Sequence, residues 1–136
     1  MLKLLVRAWA APYSVLGMVL GLVFLLFGAK VQVRAGALEF GGGGLGRLAS
    51  RLRAPFCFSA ITFGHVILGV DSDILDKVRA HEQVHVRQYE RWGIFFLPAY
   101  LLSSLLQLAL GRRPYLDNYF EREAYAKAAV PGCRNG

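Results

Sequence analysis

Cysteine is scarce in this chain, whose 136 residues include only Cys57 and Cys133. The two cysteines form no CxxC pair, and they are too few for a disulfide framework. A zinc site built on thiolates would also need more cysteines than the chain contains. These absences argue against a disulfide-stapled domain and against a zinc finger.

Charged residues are also few, at 18% of the chain, whereas apolar residues make up 55%. This balance is more apolar than that of an ordinary soluble domain and favours a membrane protein with one small domain. The net charge of +7 would suit nucleic acid, but the arginines are spread among long apolar runs and no nucleic-acid-reading motif is present. We therefore expect membrane lipid, with anionic headgroups, as a partner and no nucleic acid.

The first long uncharged run covers residues 8–29, enough to span a hydrocarbon core of about 30 Å. Trp9 and Tyr13 lie near its start, where amphipathic rings prefer headgroup depth. A cleaved signal peptide is the alternative, but its apolar core would normally be shorter. We predict an uncleaved membrane anchor over residues 1–30, with Gly17 and Gly21 as a weak GxxxG pairing face.

Basic residues flank this run unequally. Lys3 and Arg7 precede it, whereas more basic residues follow it: Lys30, Arg34, Arg47, Arg51 and Arg53. Because positive charge is enriched on the cytoplasmic side of membranes, the body of the protein is expected to face the cytoplasm, at a bacterial cytoplasmic membrane.

The next segment combines short strand patterns with a glycine run. Residues 31–40 partly alternate apolar and polar side chains and predict one short strand. Gly41–Gly44 predict a flexible turn or hinge. Residues 45–53 predict a short basic amphipathic helix that rests on lipid headgroups.

Residues 56–70 are rich in aromatic and β-branched side chains and predict one or two strands, with a tight hairpin around Gly64 and His65. The edge of a strand in this segment could bind an extended peptide by strand addition. His65 could point into a site, but a lone histidine in a turn is more often solvated.

The most specific motif is His81-Glu82-Gln83-Val84-His85, an HExxH box. Residues four apart share a helix face, so both imidazoles can bind one metal ion, and Glu82 can take a proton from metal-bound water. The alternative is an exposed helix with two unrelated histidines. Capping oxygens at residues 71–73 predict a helix from about residue 74 to 91. Its buried face should carry Ile74, Val78, His81, His85, Gln88 or Tyr89, and Trp92.

A second uncharged run, residues 92–111, separates this helix from the C-terminal part of the chain. Hydropathy alone predicts a membrane span, which would carry later residues about 30 Å from His81. Zinc bonds are only about 2.0–2.2 Å long, so a ligand beyond a full span could not reach the histidines. Pro98 interrupts the run. We therefore predict a membrane-associated segment that is broken and turns back, lies at the interface or packs on the site.

A third metal ligand is predicted on a C-terminal helix that Asp117 or Asn118 would cap. Glu121 and Glu123 point about 160° apart on this helix, so only one of them can face the histidines. A glutamate would complete a His₂Glu set with the fourth position open for water. We favour Glu121, and a solvated charged helix remains the alternative.

These motifs resemble the gluzincin clan of zinc metallopeptidases. The pattern Glu121-Arg122-Glu123-Ala124 is similar to the E-x-x-A-D motif of membrane prenyl-protein and heat-shock endopeptidases, whose first glutamate binds zinc. His85-x-x-Gln88, Gly93 and Pro98-x-Tyr100 resemble small bacterial membrane-associated proteins with an HExxH box. Tyr125 stands where these families carry an aspartate that orients a zinc-binding histidine. The resemblance leaves that role to Asp117, another carboxylate or a carbonyl.

The sequence thus predicts an α+β protein: an N-terminal membrane helix followed by a minimal zincin-like domain over residues 31–136. The expected function is a zinc-dependent peptidase in which His81, His85 and Glu121 hold Zn²⁺ and Glu82 is the general base, acting on peptides or membrane proteins. Two alternatives stay open. One is a non-catalytic metal-binding or scaffold protein, and the other is a two-span membrane protein with His81 and Glu121 on opposite sides.

Overall fold

The structure is a computed structural model that describes residues 1–52 and 60–128. Its elements confirm the predicted α+β class with an apolar N-terminal helix. Along the chain they are α1 (Leu2–Leu26), β1 (Lys30–Arg34), β2 (Ala37–Gly41), α2 (Gly43–Leu52), β3 (Ala60–Phe63), β4 (Val66–Gly69), α3 (Ser72–Trp92), a 3₁₀ turn (Gly93–Phe95), α4 (Phe96–Ala109) and α5 (Tyr119–Ala128).

The strands form a four-stranded sheet in the order β1-β2-β4-β3. The β1–β2 and β3–β4 pairs are antiparallel, and β2 and β4 are parallel in the register Leu38 to Val66. The prediction of one strand over residues 31–40 is wrong, because the chain reverses at Ala35 and Gly36. Both have positive φ, 50° and 81°, as a type I′ hairpin turn requires.

The glycine run turns the chain from β2 into α2, as predicted, with φ of 81° at Gly42 and 70° at Gly43, but its other glycines belong to these two elements and not to a hinge. Gly41 is the last residue of β2, and α2 begins at Gly43. Gly41 is required for close packing, because a Cβ atom there would lie 2.7 Å from a methyl carbon of Leu75. The predicted short helix is confirmed as α2.

The hairpin predicted around Gly64 and His65 is confirmed as β3–β4. The rest of that predicted segment, residues 56–59, lies outside the described residues, as do both cysteines, Arg53 and the chain from residue 129 onward.

Helix α1 packs on the sheet through its small residues. A Cβ atom on Gly17 would lie 2.7 Å from Val66 Cβ, and one on Gly21 would lie 2.5 Å from the Phe40 ring. The suggestion that these glycines pair with another membrane helix is therefore wrong, because their faces are covered by the sheet. Further toward the N-terminus, Ala10 is buried in a cluster with Tyr89, Phe96 and Phe120. The boundary at residue 30 stays a prediction, but α1 shares its core with the rest of the chain.

Two helical stretches, Leu2–Leu26 and Ser72–Ala109, are long and apolar enough to cross a membrane. Their most apolar windows are only 17% and 11% buried within the protein. Large apolar side chains such as Leu22 on α1 and Leu105 on α4 face outward. These exposed apolar surfaces support membrane association.

Helix α3 begins where the capping residues predict, with Asp71 Oδ1 accepting a hydrogen bond from the Ile74 N–H at 2.7 Å. It lies between the sheet and α5, so its buried surface is wider than the single face predicted from the sequence. The additional buried residues are Leu75, Glu82, Val84 and Val86. The placement of Trp92 on the buried face is wrong, because this side chain is 40% exposed at the end of the helix.

The apolar segment after α3 is broken and turns back, as predicted. The break lies at Gly93, with φ of 58°, and Pro98 sits within the first turn of α4 instead of interrupting a helix. Helix α4 ends before a turn at Gly111, whose φ is 70°. The hydroxyl of Ser104 accepts a hydrogen bond from the Asn118 amide at 2.7 Å, which fixes α5 beside α4.

Candidate metal centre

The donor atoms of His81, His85 and Glu121 meet between α3 and α5. His81 Nε2 lies 3.0 Å from Glu121 Oε2, and His85 Nε2 lies 3.2 Å from Glu121 Oε1 and 3.2 Å from His81 Nε2. All three residues are buried, with 3%, 6% and 3% of their surfaces exposed. The predicted convergence is confirmed, and the two-span alternative with His81 and Glu121 on opposite sides is wrong.

The spacing of these atoms fits a small cation. A tetrahedral zinc ion with bonds of about 2.0–2.1 Å separates its ligand atoms by roughly 3.3–3.4 Å, close to the distances seen here. Without a cation, the facing Nε2 atoms of His81 and His85 can share at most one hydrogen bond. Two imidazoles and one carboxylate are also a donor set that catalytic zinc sites use. The residues therefore fit zinc.

Glu121 is held in its ionised form, which is the form that binds metal. Burial alone would raise its pKa, but hydrogen bonds with the two histidines outweigh this effect and lower the pKa of Glu121 to about 2. The Tyr100 hydroxyl also donates to Glu121 Oε1 at 2.6 Å. Because Asn118 Oδ1 accepts from the Phe120 N–H at 2.9 Å, Asn118 is the cap that begins this helix.

The two histidines have different second partners. His85 Nδ1 lies 2.8 Å from Gln88 Oε1, whereas His81 Nδ1 is buried and has no hydrogen-bond partner within the part of the chain that the structure describes. The Tyr125 ring, at the position of the aspartate in the families that this chain resembles, lies 4.3 Å from the His81 ring. Asp117 does not orient a histidine, because it binds the backbone and guanidinium of Arg113.

Glu82 lines a cavity that His85 and Glu121 also border. The Thr62 hydroxyl on β3 donates to Glu82 Oε2 at 2.7 Å, and both side chains are buried. The cavity has a volume of about 250 Å³. Glu82, His85 and Glu121 line it together with apolar and aromatic side chains, among them Ile61, Phe63, Phe96, Leu97, Tyr100 and Tyr115.

Two candidate residues lie outside the centre. His65 lies between α1 and α3, with its Nε2 atom 2.9 Å from Glu90 Oε1 and its backbone N–H bonded to Ser14 Oγ. Glu123 accepts hydrogen bonds from Gln88 and from Lys127. Glu121 is thus the only one of the two predicted glutamates that reaches the histidines.

Sequence reasoning missed the role of Thr62 entirely. A threonine in a short strand is ordinary, and nothing local indicates that it faces a glutamate 20 residues later. The contact between Gln88 and His85 is predictable from the sequence, because a residue three positions after His85 lies on the same helix face.

Comparison with known proteins identifies no relative of this chain. No protein family, curated protein or solved structure matches it.

Proposed function

We propose that this protein is a membrane-associated, zinc-dependent peptidase. The observation that carries the proposal is the buried cluster of His81, His85 and Glu121, whose donor atoms all lie within 4.8 Å of one another. Glu82 lines a cavity next to the same cluster, which is where a general base is needed. A buried set of this composition beside a concave apolar cavity supports a catalytic zinc site more than a structural one.

In this proposal each side chain has a defined task. His81, His85 and Glu121 hold zinc, which supplies a Lewis acid that polarises a carbonyl and acidifies water. Glu82 takes the proton of the attacking water and transfers it to the leaving amine. Thr62 holds one oxygen of Glu82 in place, which leaves the other oxygen to act as the base.

The cavity favours peptides with large apolar side chains. Its walls are mainly apolar, and β3 runs along it with residues Ala60–Phe63. Among the described strands, β3 pairs only with β4, so its other edge can pair with an extended peptide. Substrates of this kind include membrane-associated peptides and membrane proteins, which the exposed apolar faces of α1 and α4 would bring close to the site.

We further propose a bacterial cytoplasmic membrane as the location, with the segment after α1 facing the cytoplasm. The support is the excess of basic residues after α1. Labelling of single cysteines introduced at exposed positions of α2 tests this orientation in intact cells and in inverted vesicles. Labelling from outside intact cells would contradict it.

A non-catalytic metal-binding protein is the second candidate. It is favoured by Tyr125 in place of an aspartate and by the absence of an acceptor for His81 Nδ1 among the described residues. Both features weaken the usual support of a ligating histidine. This candidate predicts stoichiometric zinc without cleavage of any peptide.

Substitutions separate these candidates. Glu82→Gln should keep zinc but lose hydrolysis, because it removes only the base. Glu121→Ala should lose zinc, whereas Asp117→Asn, a carboxylate outside the cluster, should keep it. Metal content and cleavage of a quenched fluorescent peptide library in detergent micelles measure both effects. Cleavage by Glu82→Gln at the wild-type rate would refute the peptidase mechanism.

A further inference from the structure

The Gln88 side chain joins the helix of the HExxH box to the helix that carries Glu121. It is only 1% exposed. Its Oε1 atom lies 2.8 Å from His85 Nδ1, while its Nε2 group donates to the Phe120 carbonyl at 3.0 Å and to Glu123 Oε2 at 2.8 Å. The Gln88 amide therefore contacts His85 and also Phe120 and Glu123, which lie before and after Glu121 in the sequence.

These contacts fix the direction of the amide. The Phe120 carbonyl and the Glu123 carboxylate are both acceptors, so the NH₂ group of Gln88 must face them. The amide oxygen then faces His85 and accepts from its Nδ1–H. Because Nδ1 is engaged as the donor to Gln88, Nε2 is the nitrogen of His85 that is left to bind a metal, and it faces Glu121 and His81.

The second histidine lacks such support. His81 Nδ1 has no acceptor among the described residues, and the Tyr125 ring packs against its imidazole. The only described acceptor for either Nδ1 atom is therefore Gln88, and it acts on His85.

We propose that Gln88 is a positioning residue that sets the metal-binding tautomer of His85 and links metal binding to the docking of α5. The proposal rests on the proposed function in one respect, namely that the centre binds zinc. Loss of the Gln88 contacts should free both His85 and the backbone beside Glu121. Removing a partner of this kind typically lowers metal affinity about 10- to 100-fold.

The test uses the full chain in detergent micelles with zinc as the probe. Gln88→Met keeps the length of the side chain but makes no hydrogen bonds, and should weaken zinc binding about 10- to 100-fold in competition with a chelator. Arg87→Met, an exposed neighbour on α3, is the matched control and should bind like wild type. The double variant Gln88→Glu with Glu123→Gln keeps an acceptor for His85 and a hydrogen bond between positions 88 and 123, but loses the donor to the Phe120 carbonyl, so it should recover part of the affinity.

A spectroscopic readout distinguishes positioning from general destabilisation. In the zinc-free protein, ¹H–¹⁵N spectra should show a His85 Nδ1–H that exchanges slowly with water in the wild type and in the double variant, and quickly in Gln88→Met. Zinc affinity of Gln88→Met within threefold of wild type would overturn the proposal. If Gln88→Met does not fold, the double variant decides, and fast exchange of its His85 Nδ1–H would overturn the proposal as well.

The two proposals fail in different ways. If the wild type binds no zinc, the proposed function fails, and the ¹⁵N spectra alone then decide the role of Gln88. An unchanged exchange rate of the His85 Nδ1–H in Gln88→Met would overturn that role, and a faster exchange would support it.

Discussion

Replacement of Thr62 by valine tests whether the strand beside the cavity positions the general base. Valine has nearly the same shape as threonine but lacks the hydroxyl that donates to Glu82 Oε2 at 2.7 Å. Both side chains line the cavity, so a water that takes the place of the hydroxyl would lack its fixed position on β3. A hydrogen bond to a charged group contributes about 1.5–3 kcal/mol. If that energy is lost from the transition state, kcat/KM should fall roughly 10- to 150-fold.

The assay is the hydrolysis of an apolar quenched fluorescent peptide by zinc-loaded protein, with zinc content measured on the same samples. Zinc content should not change, because Thr62 contacts none of the three proposed ligands directly. Thr62→Ser retains a hydroxyl and should keep most of the activity. A folded, zinc-loaded Thr62→Val variant with kcat/KM within twofold of wild type would refute the positioning of Glu82 by β3.

Three further predictions concern stability, each measured by thermal melting in detergent. Arg79→Leu should destabilise the protein by about 3–5 kcal/mol. The Glu39 carboxylate is fully buried, and the Arg79 guanidinium hydrogen-bonds both of its oxygens, so the substitution leaves a buried charge without its partner. An unchanged melting temperature would contradict this prediction. Gly21→Leu should cost about 1–3 kcal/mol by forcing α1 away from the Phe40 ring, whereas the exposed Leu22→Ala should change little. Zinc at 100 times its Kd should stabilise the protein by about 2.7 kcal/mol over chelator-treated protein, and equal melting curves would argue against a metal site.

The convergence of the site was predictable because helix geometry links spacing to direction. His81 and His85 are four residues apart, so any helix places both on one face. The distance argument predicted that the uncharged run turns back so that a third ligand can reach the histidines, but it does not by itself choose Glu121 over Glu123. In the structure, the helix breaks at Gly93, at the start of the apolar segment, and the chain turns again at Gly111, at its end.

The errors lie where tertiary packing decides local structure. The hairpin within residues 31–40 depends on positive φ at Ala35, which alternation of side chains does not reveal. The glycine run predicts a turn or hinge, and the pattern gives no sign that Gly41 is needed for the close approach of Leu75. The contact of Thr62 with Glu82 joins distant positions, so only the packed sheet brings it about.

The central claim is that His81, His85 and Glu121 bind one zinc ion. X-ray absorption spectroscopy of the purified protein at the zinc edge measures this directly, together with the number of zinc ions per chain. We predict one zinc per chain with two imidazole nitrogens at about 2.0–2.1 Å and oxygen in the remaining positions, and loss of this signal in Glu121→Ala. A protein that binds no zinc, or an unchanged spectrum in Glu121→Ala, would contradict the account.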